Sequence, residues 1–192
     1  MKQARVLADA ELKRVLAVIA QGRHAARNRA LVLLSHYAGL RAGEIAALAW
    51  GDLLEPNGSI ARQFRLKAEH TKTNEARTVH VSAKLARELA THKSCLKQQP
   101  KPSAPLVRSQ KGGAFSANSL CQLLGRIYAE AGIVGASSHS GRRWFITQLA
   151  HSGISPKVIM TLAGHRSLAT TQRYIEVNDQ MMATAVDQLG VR

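Results

Sequence analysis

The spacing of apolar residues is the feature that most constrains the fold of this chain. Over most of its length, apolar residues recur every three or four positions, which is the repeat of an amphipathic helix. Segment 116–132 shows the pattern most clearly, with Ser116 as a suitable N-cap and Gly132 as a suitable stop. One face of that segment carries Leu120, Leu123, Leu124, Ile127 and Tyr128. A chain built from such segments is predicted to be mainly helical.

Similar patterns predict further helices along the chain. Asp9, Ser82 and Ser155 are expected N-caps, and Pro156 stands at the first helical position after Ser155. Glycines at the ends of the apolar segments are expected stops. The further helices are expected over residues 9–21, 27–38, 42–49, 82–92, 141–151, 155–164, 167–175 and 179–189.

Residues 60–81 follow a different pattern. The runs IARQFRL and ARTVHV alternate in polarity, as half-buried strands do, and TKTNE between them is typical of a turn. A small antiparallel hairpin is therefore expected. Residues 97–114 contain three prolines and two glycines, which predicts a loop. The expected fold class is α+β, mainly α, with one small antiparallel sheet, and the whole of residues 1–192 is expected to form a single domain.

The charge balance favours a polyanionic partner. Lys and Arg number 27 against 12 Asp and Glu, which gives a formal net charge of +15 at pH 7. The surplus is spread along the chain and forms no basic tail. Such a surplus favours binding to nucleic acid, and the alternative on charge alone is a soluble protein with a high isoelectric point.

Composition excludes several classes of protein. With 45% hydrophobic and 20% charged residues, the chain is typical of a globular protein and not of a disordered one. No apolar run approaches the roughly 20 residues of a membrane span, and charges interrupt residues 1–20, which argues against a secretory signal. Cys95 and Cys121 form neither a CxxC pair nor a disulfide framework, so a reducing, cytoplasmic location is expected.

Four short segments carry polar residues for which structure alone gives little reason. They are GLRAGEIAALAW with Arg41, TKTNEARTVHV with Lys72, HSGRRWF with His139 and Arg142, and LAGHRSLATTQRYIEV with His165 and Tyr174. Each segment taken alone has an ordinary explanation, such as a capping histidine, a solvated arginine or a tyrosine in the core. Their common order and spacing carry more information than any one of them.

Together these segments resemble the catalytic domain of the tyrosine recombinase (phage integrase) family. That family has a G-L-R-x-x-E box, a lysine on a β-hairpin turn, an H-x-x-R box and a G-H-x-x-x-x-T-T-x-x-Y box. All four occur here in the same order between Gly39 and Tyr174. The resemblance implies a helical catalytic domain with a small β-hairpin, and a site-specific DNA recombinase that forms a 3′-phosphotyrosine intermediate.

The resemblance also implies a role for each matching residue. Tyr174 would be the nucleophile that attacks a DNA phosphodiester, and Arg41 and Arg142 would clamp the non-bridging oxygens. Guanidinium groups suit this role because they are always charged and offer forked donors to phosphate. They provide the charge stabilisation that a metal ion supplies elsewhere, so neither a metal nor another cofactor is expected.

Proton transfer would fall to the remaining residues of the boxes. A tyrosine hydroxyl is protonated at neutral pH, so His139 would act as its general base. Lys72 would donate a proton to the departing 5′-oxygen, and His165 would form a hydrogen bond with the phosphate. Arg143 and Arg166 flank catalytic positions and are candidate nucleic-acid contacts.

Two departures from the family pattern affect the expectations. The H-x-x-R box usually has a leucine where Gly141 stands, and its loss is expected to loosen the start of that helix. Only 40 residues precede Arg41, so no separate N-terminal core-binding domain is expected.

Two other functions stay open beside site-specific recombination. A type IB topoisomerase-like enzyme resembles the family in its active site but nicks and reseals one duplex as a monomer. An inactive DNA-binding regulator would keep the fold without the chemistry. The tyrosine box and the C-terminal helix favour the recombinase, whose implied partners are double-stranded DNA, further copies of the chain in a tetramer on two DNA sites, and in some systems accessory DNA-bending proteins.

Overall fold

Helices dominate the computed structural model, which describes residues 4–71, 74–175, 179–187 and 189. The helices are α1 (Asp9–Ala20), α2 (Ala25–Tyr37), α3 (Ala42–Ala47), α4 (Trp50–Leu53), α5 (Ala83–Ser94), α6 (Ala117–Glu130), α7 (Ser140–His151), α8 (Pro156–Ala163), α9 (Leu168–Gln172) and α10 (Asp179–Asp187). Strands β1 (Gln63–Leu66) and β2 (Arg77–His80) pair antiparallel. The predicted class, mainly helical with one small antiparallel sheet, is confirmed. Within the described ranges, no helix is long and apolar enough to cross a membrane.

Helix α2 lies at the centre of the main core. All residues from Ala30 to His36 are buried, including the polar Ser35 and His36, because other helices cover every face of this helix. Helices α1, α5 and α7 pack directly against it. A second, smaller cluster joins α7 to α8, and it consists of Ile146, Ala150, Ile159 and Ala163 with Phe145, Leu149, Tyr174 and Ile175 packed against them. The side chain of Tyr174 thus packs against an apolar cluster.

Three of the four predicted N-caps are confirmed. The hydroxyls of Ser82, Ser116 and Ser155 each accept a hydrogen bond from the backbone three residues further on. Asp9 was expected to cap the first helix, and this was wrong. The N-cap is Ala8, whose backbone N–H donates to a carboxylate oxygen of Glu11 at 2.9 Å.

The predicted helix over 42–49 is interrupted by contacts from a distant loop. Helix α3 ends at Ala47, and the chain is extended at Leu48 and Ala49 before α4 begins. The carbonyl of Leu48 accepts a hydrogen bond from the N–H of Leu106, and the N–H of Trp50 donates to Ala104. The predicted loop over 97–114 therefore supplies backbone partners that a continuous helix would have made internally.

Gly141 lies at a close contact between α7 and α2. A Cβ atom on Gly141 would lie 2.5 Å from the Ser35 hydroxyl and 2.7 Å from Nδ1 of His36. The expectation that this glycine loosens the helix start was therefore wrong. Its missing side chain lets the helix that carries Arg142 pack closely against the side chains of Ser35 and His36 on the central helix.

We expect Gly141→Ala to destabilise the fold by about 1–3 kcal/mol, because the added methyl overpacks the contact between α7 and α2. Gly125→Ala is the matched control, since a Cβ at Gly125 in α6 would meet no atom within 4 Å. That change should stabilise the protein by up to about 1 kcal/mol through helix propensity. Urea unfolding of both variants measures the difference, and equal effects would contradict the packing argument.

Candidate active site

One buried carboxylate organises the first part of the site. Glu44, whose side chain is 1% exposed, lies three residues after Arg41 at the start of α3. Its Oε1 accepts a hydrogen bond from Nη1 of Arg41 at 2.8 Å, and its Oε2 accepts one from the backbone N–H of Arg41 at 2.9 Å. This i, i+3 spacing closes a capping box, so the glutamate fixes both the helix start and the guanidinium of Arg41.

Arg77 on β2 shares the same carboxylate. Its Nη2 donates to Oε2 of Glu44 at 2.8 Å, and its Nη1 donates to the carbonyl of Leu162 at 3.4 Å. Burial lowers the pKa of Arg77, and the negative charge of Glu44 opposes that shift. A Cβ on Gly164 would meet the Arg77 side chain at 2.5 Å, so the glycine leaves the room that this arginine occupies.

Sequence reasoning missed Arg77, although the sequence contained a signal for it. Arg77 has the same parity as Val79 and Val81, which are buried, and it pairs with the buried Leu66 across the sheet. An arginine in phase with the apolar face of a strand requires a buried acceptor. Glu44 could not be identified as that acceptor without the tertiary structure.

Arg142 is held by the carbonyl groups at two helix ends. It is 4% exposed, and its Nη1 and Nη2 donate to the carbonyls of Gly39, after α2, and Ala163, at the end of α8. These bonds measure 2.7 and 2.6 Å. Burial, and then the positive charge of Arg41, lower the pKa of Arg142 to about 9, which leaves the group charged at neutral pH.

His165 follows the left-handed Gly164 that ends α8. Its Nδ1 lies 2.9 Å from the hydroxyl of Thr171, and its ring stacks on Tyr174 with 5.7 Å between centroids. Burial lowers the pKa of His165 to about 4, and the charges of Arg142, Arg41 and Arg77 act in the same direction. The imidazole is therefore neutral at pH 7. The three arginines and Tyr174, together with His165 itself, come from the four motif segments of the sequence, so these segments meet around the His165 ring.

Tyr174 and His139 border one cavity of about 490 Å³. The cavity is also lined by Arg143 and by Arg173, which sequence reasoning did not single out. The guanidinium carbon of Arg143 lies 5.2 Å from the centroid of the Tyr174 ring, a distance suited to a cation–π contact. His139 is the exposed N-cap of α7 and also lines a smaller cavity with Arg41.

The structure brings together most of the predicted site residues. Arg41, Arg142, His165 and Tyr174 form its centre, and His139 and Arg143 lie at its edge. Arg166 is exposed and forms an ion pair with Glu75 at 3.3 Å, which places the end of the hairpin turn beside the tyrosine box. Lys72 lies outside the described residues. Within the described part of the chain, no group of three or more His, Cys, Asp or Glu residues could hold a metal ion.

The arrangement is suited to an anion. Arg41 and Arg77 pair with the carboxylate of Glu44, while Arg142 is bound by backbone carbonyls, so the three positive charges exceed the one negative charge. Phosphate is matched to such a site because its oxygens accept several charge-assisted hydrogen bonds. A phenol hydroxyl and a neutral imidazole stand next to these charges. This combination of groups is suited to binding a phosphate ester beside the phenol of Tyr174.

Comparison with known proteins identifies the family. The sequence profile of the phage integrase family matches residues 5–181. The chain therefore belongs to the phage integrase family. Tyrosine recombinase XerC of Brucella suis biovar 1 is 30% identical over 169 residues, which cover 88% of this chain and 52% of that protein. The chain spans about half the length of the XerC relatives that it matches.

Solved structures confirm the fold. The crystal structure of XerA recombinase superposes with a TM-score of 0.75 at 22% identity. The match covers 100% of this chain and 65% of the XerA chain. The XerH site-specific recombinase, in a pre-cleavage complex with its difH substrate, has a TM-score of 0.67 at 24% identity and covers 100% of this chain and 56% of its own. The helical catalytic fold with its small sheet is thus that of the tyrosine recombinases.

We expect Glu44→Ala to destabilise the protein by about 3–5 kcal/mol, because it leaves buried guanidinium charge without its partner. Glu75→Ala provides the control, since Glu75 and Arg166 are 64% and 62% exposed. That pair should contribute at most about 1 kcal/mol. Urea unfolding of both variants at pH 7 measures the contrast. A loss at Glu44 no larger than the loss at Glu75 would refute the organising role of the buried carboxylate.

Proposed function

We propose that this protein is a site-specific DNA recombinase of the integrase or invertase type. It cuts and rejoins DNA through a 3′-phosphotyrosine intermediate. The observation that carries the proposal is the convergence of Arg41, Arg142 and His165 beside the ring of Tyr174 in a member of the phage integrase family. The matching relatives include tyrosine recombinases, and one matching structure holds its DNA substrate, which supports double-stranded DNA as the partner.

In the proposed reaction, the hydroxyl oxygen of Tyr174 attacks the phosphorus of a DNA phosphodiester. The bond from phosphorus to the 5′-oxygen breaks, and a 3′-phosphotyrosine and a free 5′-hydroxyl result. His139 takes the proton of the tyrosine, and Lys72 gives one to the departing oxygen. A 5′-hydroxyl then attacks the phosphotyrosine and rejoins a strand, so the energy of the broken bond is conserved without a cofactor or a metal.

The arginines act on the charge that develops at phosphorus. Arg41 and Arg142 hold the non-bridging oxygens. Glu44 fixes the guanidinium of Arg41, and two backbone carbonyls fix that of Arg142. Such preorganised donors stabilise a transition state without reorganisation during the reaction. His165 donates a further hydrogen bond to the phosphate. Arg143 and Arg166 contact the DNA backbone. Arg166 breaks its exposed ion pair with Glu75 to make this contact.

The proposed assembly is a tetramer on two DNA sites. Apolar side chains at Met182 and Val186 in α10 and at Leu189 are exposed, which supports packing against a neighbouring copy. We propose that the chain acts as one catalytic domain in the cytoplasm, where both of its cysteines, Cys95 and Cys121, stay free. Accessory DNA-bending proteins would assist where the recombination sites must be brought together.

We expect Tyr174→Phe to fold and bind DNA but to form no covalent adduct, because only the nucleophilic hydroxyl is removed. Suicide DNA substrates, which lose a short fragment after cleavage, trap the adduct of the wild-type protein for detection on denaturing gels. An adduct that persists in Tyr174→Phe would move the nucleophile to another tyrosine. Absence of an adduct in the wild-type protein would favour a DNA-binding regulator. An active monomer that relaxes one duplex would favour a topoisomerase.

We expect Lys72→Ala to cleave ordinary DNA about 10²–10⁴-fold more slowly, as is typical when a general acid is lost. A substrate whose 5′-bridging oxygen is replaced by sulfur should restore most of that rate, because a thiolate leaves without a proton. Arg41→Ala is the control and should not be rescued, since its role is at the non-bridging oxygens. If sulfur fails to rescue Lys72→Ala, the lysine contacts the DNA backbone and another group is the acid.

A further inference from the structure

The hydroxyl of Thr171 is one of the most completely buried polar groups in the molecule. Thr171 is 0% exposed, and it lies on α9 between His165 and Tyr174 in the chain. Its Oγ1 lies 2.9 Å from Nδ1 of His165. Among the residues that the structure describes, no second hydrogen-bond partner of this hydroxyl is present. A single contact must therefore satisfy the proton of a fully buried hydroxyl.

The direction of this hydrogen bond follows from what each group offers. A threonine hydroxyl has one proton to donate, and a buried donor without an acceptor is costly. If Nδ1 of His165 donated instead, the proton of Thr171 would be left without a partner. The arrangement that satisfies both groups has the Thr171 O–H donating to an unprotonated Nδ1.

The charge state of His165 then fixes its other nitrogen. The charges of Arg41 at the N-cap of α3, Arg77 on β2 and Arg142 on α7 act on the ring, which stacks on the phenol of Tyr174. Burial, and then these positive charges, lower the pKa of His165 to about 4, so the imidazole is neutral at pH 7. A neutral imidazole carries one proton, so an unprotonated Nδ1 means that Nε2 carries it.

We propose that Thr171 is a positioning residue that holds His165 in the tautomer with its proton on Nε2, so that Nε2–H is the donor to the reacting phosphate. The proposal rests on the proposed function and adds to it the group that selects the donor. Stacking on Tyr174 restricts the plane of the ring, and the Thr171 bond decides which nitrogen carries the proton. Without the threonine, the opposite tautomer presents an unprotonated nitrogen to a negatively charged oxygen.

The tautomer is measured directly in the DNA-free protein. The full chain is labelled with ¹⁵N-histidine, and two-bond ¹⁵N–¹H spectra at pH 7 distinguish protonated from unprotonated ring nitrogens. The chain has eight histidines, and the signals missing from His165→Gln identify the relevant ring. We expect the Nε2–H pattern for His165 in the wild-type protein and a mixture of tautomers in Thr171→Val. An Nδ1–H pattern in the wild-type protein, or an unchanged pattern in Thr171→Val, would overturn the proposal.

Cleavage kinetics test the consequence of the tautomer. Thr171→Val keeps the volume of the side chain and removes its hydroxyl, and it should slow adduct formation by about 10–100-fold with little change in DNA affinity. Thr171→Ser restores the donor and should recover most of the rate. Thr161→Val is the control, because the exposed Thr161 hydroxyl donates only to the Lys157 carbonyl of its own helix. That variant should cleave like the wild-type protein.

The two measurements separate the failure of this proposal from the failure of the proposed function. A wild-type protein that forms no adduct refutes the proposed function, while the spectra still decide the tautomer. An active protein in which Thr171→Ser is as slow as Thr171→Val refutes the positioning role. If Thr171→Val does not fold, the wild-type spectrum and the serine variant decide between the two outcomes.

Discussion

The buried carboxylate of Glu44 is the interaction on which the site depends. It accepts hydrogen bonds from Arg41 and Arg77, which come from a helix and a strand that are far apart in the chain. A buried ion pair contributes little net stability, because desolvation offsets much of the attraction. Its contribution here is to geometry, because the carboxylate fixes the positions of the Arg41 and Arg77 guanidinium groups. Its single negative charge neutralises only part of their positive charge. The fold thus holds together cations that would otherwise repel one another.

Backbone carbonyls fix the position of the Arg142 guanidinium in a similar way. The last carbonyls of a helix have no partner within the helix, and that of Ala163 at the end of α8 accepts a hydrogen bond from this guanidinium, as does the carbonyl of Gly39, which follows α2. The left-handed Gly39 and Gly164 end these helices and also leave room for side chains packed against them. Moving either helix end would displace Arg142. The position of Arg142 in the site is therefore coupled to where the helices end.

Local rules accounted for the parts of the fold that depend on neighbouring residues. Three serine N-caps, the hairpin and the mainly helical class could be predicted, because a cap or a strand pair is determined within a few residues. The break after Ala47 could not, because Leu106 supplies its hydrogen bond from a remote loop. The close contact at Gly141 could not be predicted for the same reason, because the atoms that a Cβ at this position would meet belong to Ser35 on another helix.

The same distinction between local patterns and long-range contacts applies to the site residues. The motif boxes indicated Arg41, Arg142, His165 and Tyr174, because their spacing is a property of the sequence itself. Arg77 was missed, since its partner Glu44 lies 33 residues away and the two meet only in the tertiary structure. An arginine in phase with the apolar face of a strand is the clue, but it identifies neither the acceptor nor the neighbouring helix.

Burial, and then the clustered charges, also determine how His165 responds to pH. Its pKa in the folded protein is about 4, against an ordinary value of 6.5. Between these values the unfolded chain binds a proton that the folded protein does not, so this group lowers stability as the pH falls through that range. A bound phosphate dianion or diester would partly cancel the arginine charges and ease protonation. Burial and the positive charge of the neighbouring arginines thus keep the imidazole neutral, and the same arginines are the groups that would meet an anionic ligand.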